Sequence, residues 1–308
     1  MTYPHNIEQK IDFQVIRDCL KSCCTSSLGK ERVDEMLWVN HYKTVQNRLA
    51  HLREMMSVLT DSSLSFPQGD IYDLREALAR IRVEGLFMDE NELFSLRKML
   101  DYVGQLERFF TLLDREKYPL LASLPLTSFP SHLIVAIDRI IDRYGKMKDS
   151  ASPELARIRK DIAQSQGSVS RALNAILRQA QADGLLDKDA VPTMREGRLV
   201  LPVPPAYKRK IGGIVHDESA TGKTVFIEPQ QVVEANNRIR ELEGEERRER
   251  IRILLEITAQ LRPDIPHILE TETYLGEVDF LRAKALFSID IQAIVPEVSQ
   301  QPLIDWRE

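Results

Sequence analysis

Residues 216–229 read HDESATGKTVFIEP. The GKT at 222–224 ends like a phosphate-binding P-loop, G-x-x-x-x-G-K-[ST], a motif set between a strand and a helix. Counting back, the first glycine should fall at position 217, where the chain has Asp217, followed by Glu218. Two carboxylates would repel the phosphates that such a nest of N–H groups cradles. The residues after the loop, TVFIEP, are β-branched and aromatic and stop at a proline, so they read as a strand. The stretch therefore predicts a β-hairpin turn that binds no nucleotide.

That hairpin lies in the one β-rich segment of the chain. MREGRLVLPVP (194–204) reads as a strand entered by a Glu-Gly turn. YKRKIGGIVHDES (207–219) reads as a second strand, with Gly212-Gly213 suggesting a bulge. KTVFIEP (223–229) is the third. A small antiparallel sheet follows.

A long helix flanks it on each side. From Ser152, SPELARIRKDIAQSQGSVSRALNAILRQAQAD runs for about thirty residues, with Ser152 as cap and Pro153 at the first helical position. Leu155, Ile162, Val169 and Ile176 lie seven apart, and Ile158, Leu173 and Ala180 widen the stripe. That is a heptad seam, which wants one partner helix. The segment from Pro229 supplies it through Val232, Ile239, Leu242, Ile253, Leu254, Ile257 and Leu261. Its charged middle, EGEERRERIR (243–252), reads as a solvated face with i,i+4 pairs. At about 1.5 Å per residue each helix is on the order of 45 Å long, and the two should pack antiparallel.

The first half reads as helices. Ile7, Ile11, Val15 and Leu20 keep helical spacing up to Gly29, and Val45, Leu49, Leu52, Met55, Met56 and Leu59 share one face. DLREALARIRVEG (73–85) is a short helix ended by Gly85. The acidic cluster Asp89-Glu90-Asn91 reads as a helix start and not as metal ligands, because Glu92 stands at capping-box spacing from Asp89. From His267 the sequence returns to helix, then breaks up and ends in PLIDWRE, which reads as a cut at a domain junction. The fold class is mainly α: an elongated helical core and a two-helix arm with a small antiparallel β unit at its tip.

Charged residues make up 29% of the 308 and aromatics 6%, a mix that suits helices with solvated faces. The formal net charge is −5, so contact with nucleic acid needs a local basic patch. Cys19, Cys23 and Cys24 lack zinc-ligand spacing and read as reduced core thiols of a cytoplasmic protein. The six histidines are scattered without metal spacing, and no apolar run approaches a membrane span. His216-Asp217-Glu218-Ser219 has the residue types of a catalytic triad, but neighbours in sequence cannot converge as base and nucleophile must. What remains is charge: residues 188–224 hold seven cations against four anions, a net of +3. The candidate phosphate contacts are Lys208, Arg209 and Lys210 beside Tyr207, then Arg195, Arg198 and Lys223. In a strand, Lys208 and Lys210 would share a face and Arg209 would point away.

Several of these strings resemble the MutS family, and in it the bacterial second-type branch that suppresses recombination. SSLGK (26–30) resembles its N-terminal core signature. REGRLVLPV (195–203), GGIVHDESATGKTVFIEP (212–229) and VVEANNRIRELEGEE (232–246) resemble its clamp and descending lever in unbroken order, and EVDFLRAKA (277–285) the helix leading back to the core. The resemblance implies a helical core region over 1–150, an ascending lever over 151–183 and a clamp over 184–229. It implies a descending lever over 230–262 and a return to the core over 263–308. It also implies a homodimer that embraces branched or duplex DNA, driven by an ATPase with ATP and Mg, and a C-terminal Smr nuclease domain. Neither Walker motif nor an Smr domain is present in these residues, so the sequence assigns this chain no catalysis, cofactor or metal. Phe226-Ile227-Glu228 matches the Phe-x-Glu wedge of the mismatch-repair branch only by coincidence, since it falls in a clamp strand. The same branch has been linked to collided ribosomes, so the alternatives are a ribosome- or RNA-binding region and a coiled-coil scaffold with no ligand.

Overall fold

The computed structural model describes residues 6–124 and 129–300. They form two compact units, Met1–Lys146 with Leu254–Glu308, and Met147–Ile253. The architecture is mainly α, with one small four-stranded antiparallel sheet. The terminal PLIDWRE lies outside the described residues.

The first unit opens with α1 (Ile7–Lys10), α2 (Phe13–Cys23) and α3 (Ser27–Asp34). The apolar stripe read through Ile7, Ile11 and Val15 does not become core: Ile11 and Val15 are exposed, while Leu20 is buried. The reason is Asp12, whose φ of 52° breaks the helix and changes its phase. Then follow α4 (Tyr42–Thr60), α5 (Arg75–Arg80), α6 (Glu90–Leu112) and α7 (His132–Ile140). The acidic start of α6 is a complete capping box: Asp89 accepts from the Glu92 N–H, and the Glu92 carboxylate accepts from the Asp89 N–H. The α6 face Leu93, Leu96, Met99, Leu100, Val103 and Leu106 has no exposed surface. Cys24 is buried and free, and burial, then the charge of Asp279, pushes its thiol up to about 12.

In the second unit α8 (Pro153–Ala182) starts as its residues dictate, with the Ser152 hydroxyl accepting from Leu155 N–H and Pro153 in the first turn. After the sheet and the short α9 (Lys208–Ile211) comes α10 (Gln230–Leu261), which leads into the first unit and α11 (Ile265–Asp290). The two long helices are antiparallel. Ser152 bonds Glu249 at 2.6 Å and Arg159 bonds Glu246 at 2.8 Å, while Val169, Leu173, Leu177 and Ala180 share a core cluster with Val232 and Ile239. The buried line of α8 runs through Leu155, Ile158, Val169, Leu173, Leu177 and Ala180; Ile162 and Ile176 of the heptad reading are only half-buried. Ile239→Asp, at 6% exposure, is therefore expected to cost about 3 kcal/mol or more, and Ile162→Asp clearly less. Equal melting temperatures for both variants would contradict this seam.

The strand order is β1-β2-β4-β3, with β1 Thr193–Arg195, β2 Arg198–Val203, β3 Gly213–Glu218 and β4 Val225–Pro229. The sequence suggested three strands. The fourth, β1, exists because Glu196 and Gly197 take φ of 48° and 74°, closing a two-residue hairpin. The second expected strand is also shorter than 207–219. Pro204-Pro205 starts a 3₁₀ turn over Pro205–Tyr207, α9 continues it, and the chain extends only after Gly212 at φ 65°. Proline fixes φ and gives no N–H to a ladder, so this segment winds instead of pairing. The bulge lies at Val215/Asp217, not at the glycine pair. Gly213 has a different role: a Cβ there would come within 2.1 Å of the Glu228 carbonyl oxygen.

Candidate nucleic-acid interface

Leu201, Val203, Val225 and Ile227 pack into the core with α8 and α10. Strand alternation turns Phe226 and Glu228 to the other side. There Glu228, at 0% side-chain exposure, is the hub of a polar network. Its carboxylate accepts from Arg198 Nη1 at 2.7 and 2.9 Å, from Asn236 Nδ2 at 2.7 Å, and meets His216 Nε2 at 2.6 Å. Burial pushes the Glu228 carboxyl up, but the hydrogen bonds from Asn236, His216 and Arg198 outweigh it and hold it below the usual carboxylate value. Arg198 also reaches Asn237 at 2.7 Å. The network ties β2, β3, β4 and α10 together. In sequence Glu228 looked like part of a chance tripeptide; its one signal was a charge in a strand otherwise read as apolar.

The hairpin loop 219–224 is closed by Ser219. Its N–H donates to Thr224 O, its carbonyl accepts from Gly222 N–H, and its hydroxyl accepts from Thr224 N–H, all at 2.8–3.0 Å. Gly222 sits at φ 65° because the turn needs it. The loop joins two paired strands, so GKT runs into β4 and not into the helix that follows a P-loop. Among the described residues no group of three or more His, Cys, Asp or Glu is placed to hold a metal.

The six candidate cations do not form one cluster. Arg198 is committed to Glu228, and Arg195 stacks on the Phe226 ring at 4.3 Å and pairs with Asp217 at 3.3 Å. Lys208, Arg209 and Lys210 are exposed on α9, and Lys210 lies 5.6 Å from the Tyr207 ring. Because they occupy a helical turn, Lys208 and Lys210 do not share a strand face; successive side chains fan out by about 100°. Register fixes the rest. Gly213 pairs with Pro229 and Glu218 with Val225, so α9 stands at the sheet end where α10 begins and Lys223 at the opposite end. Among the described residues Lys208, Arg209, Lys210 and Lys223 form no salt bridge.

No family model matches the chain. Over 298 residues it is 34% identical to the Endonuclease MutS2 of Geobacillus sp. (strain WCH70), covering 96% of this chain and 38% of that protein. It is 33% identical over 297 residues to the Endonuclease MutS2 of Symbiobacterium thermophilum, covering 96% and 37%. With the protein of the same name from Acetivibrio thermocellus it shares 33% over 301 residues, covering 94% and 37%. The chain thus spans a little over a third of the length of these relatives.

Proposed function

We propose, from the premise that this chain belongs to the MutS2 family, that its 147–253 unit is the nucleic-acid-gripping clamp and lever of a larger ATPase. The observation that carries this reading is the α9 turn: three adjacent, exposed cations with no carboxylate partner among the described residues, beside a sheet whose Arg195 and Arg198 are already paired. Such a turn can meet backbone phosphates and carries no base preference. In the whole protein two subunits would close such units around branched or duplex DNA, and that embrace would block recombination. ATP, Mg and strand cleavage would belong to parts of the protein other than these residues, and no catalytic step is assigned here.

The test is competition. Full-length protein is titrated with labelled branched DNA against unlabelled duplex DNA and against ribosomes. Branched DNA is expected to resist competition best. Displacement by ribosomes at lower concentration than by either DNA would favour the RNA-binding reading, and no binding to any of the three would leave a coiled-coil scaffold. No helix among the described residues is long and apolar enough to cross a membrane.

A further inference from the structure

A cleft of about 1030 Å³ opens in the first unit between α2, α4 and α11. Its walls are largely apolar, with Trp38, Leu49, Phe280 and Leu281 among them. Arg48 on α4 and Lys284 on α11 also line it. Of the other cations that line it, Arg17 pairs with Glu8 at 3.0 Å and Arg32 with Glu35 at 2.8 Å, while the exposed Lys43 adds positive charge at the mouth and the exposed Glu277 one carboxylate. The Lys284 ammonium rests 4.2 Å from the Phe280 ring, with no carboxylate partner among the described residues. Burial, then the charge of Arg48, pushes this amine down to about 8. Two neighbouring cations lining an apolar hollow repel each other, and an anion between them would relieve both the repulsion and the desolvation.

We propose that this cleft binds a small amphipathic anion, an apolar body carrying a phosphate monoester, with the phosphate on Arg48 and Lys284. A phosphate monoester carries about −1.5 to −2 at neutral pH, which matches two cations better than a carboxylate does. The volume and the mix of apolar wall with a few convergent polar groups are those of small-molecule sites.

Trp38 makes the cleft its own reporter. It is one of two tryptophans, so Trp306→Phe leaves a single emitter on the wall. In that background octyl phosphate is titrated into the chain and Trp38 emission followed. Saturable binding is expected, with octanol and inorganic phosphate each at least tenfold weaker. Arg48→Gln and Lys284→Met should each weaken octyl phosphate at least tenfold while the circular dichroism spectrum stays that of the parent. If Lys284→Met fails to fold, Arg48→Gln, on an exposed position, decides alone. No saturable change, or unchanged affinity in the charge variants, overturns the site. Inorganic phosphate binding as tightly as octyl phosphate overturns the apolar body.

Discussion

Glu228→Ala is expected to destabilise the 147–253 unit by about 3–5 kcal/mol, because it breaks a buried ion pair by removing one partner. Arg198 would lose its bidentate acceptor at 2.7 and 2.9 Å, and Asn236 and His216 would lose theirs. In a unit of this size that lowers the melting temperature by on the order of 10 °C or more. Arg198→Ala should cost less, since Glu228 keeps Asn236 and His216. The pH dependence has a definite sign. The folded carboxyl lies below its ordinary 4.5, so its contribution is present above that value and is lost as pH falls through the folded value. The parent unit should therefore lose stability below about pH 4.5 more steeply than Glu228→Ala. Parallel acid profiles for the two proteins would contradict the assignment of Glu228 as the hub.

The second large effect is expected at Asp279 on α11, which is 2% exposed. Its carboxylate accepts from Thr25 N–H and hydroxyl at 3.0 and 2.8 Å, and from Ser26 N–H and hydroxyl at 2.9 and 2.6 Å. Ser26 in turn caps α3 by accepting from Gly29 N–H. A Cβ on Gly29 would stand 2.3 Å from the same carboxylate, which explains glycine there. Asp279→Ala would strand two backbone donors near the start of α3, and charge-assisted bonds of this kind are strong. A loss of about 3 kcal/mol or more is expected, read as a lower urea midpoint and faster amide exchange in α3. Asp279→Asn keeps the shape but turns one acceptor into a donor, so it should fall between. Exchange in α3 unchanged by Asp279→Ala would remove this contact from the account.

Both hubs bear on what a sequence can reveal. The starts of α6 and α8, the Glu196-Gly197 turn and the Ser219–Thr224 hairpin were legible because each is decided within a few residues. Their caps and left-handed positions leave local signatures. Asp279 and Ser26 are 253 residues apart in sequence, and Glu228 gathers partners from three other elements, so no periodicity points to either. The strings SSLGK and EVDFLRAKA contain Ser26 and Asp279, but nothing in either string says that the two meet. At 207–211 the strand expected from the β-rich context is a wound segment, because Pro204-Pro205 start a 3₁₀ turn and the chain extends only after Gly212. The winding also changes the relative directions of Lys208, Arg209 and Lys210. The apolar stripe of the first helices failed because one aspartate, Asp12, adopts a left-handed conformation that its neighbours do not announce.

The central claim is that the α9 turn grips nucleic-acid backbone. The most direct measurement is the affinity of full-length protein for branched DNA at a series of salt concentrations, for the parent and for Lys208→Ala with Arg209→Ala and Lys210→Ala. Each lost phosphate contact should lower the steepness of log K against log salt by about 0.9 on duplex arms. The account predicts a slope shallower by about two to three in the triple variant, irrespective of DNA sequence, with the melting temperature unchanged. The same slope and affinity as the parent would contradict it, and would move the search to Lys223 at the opposite end of the sheet.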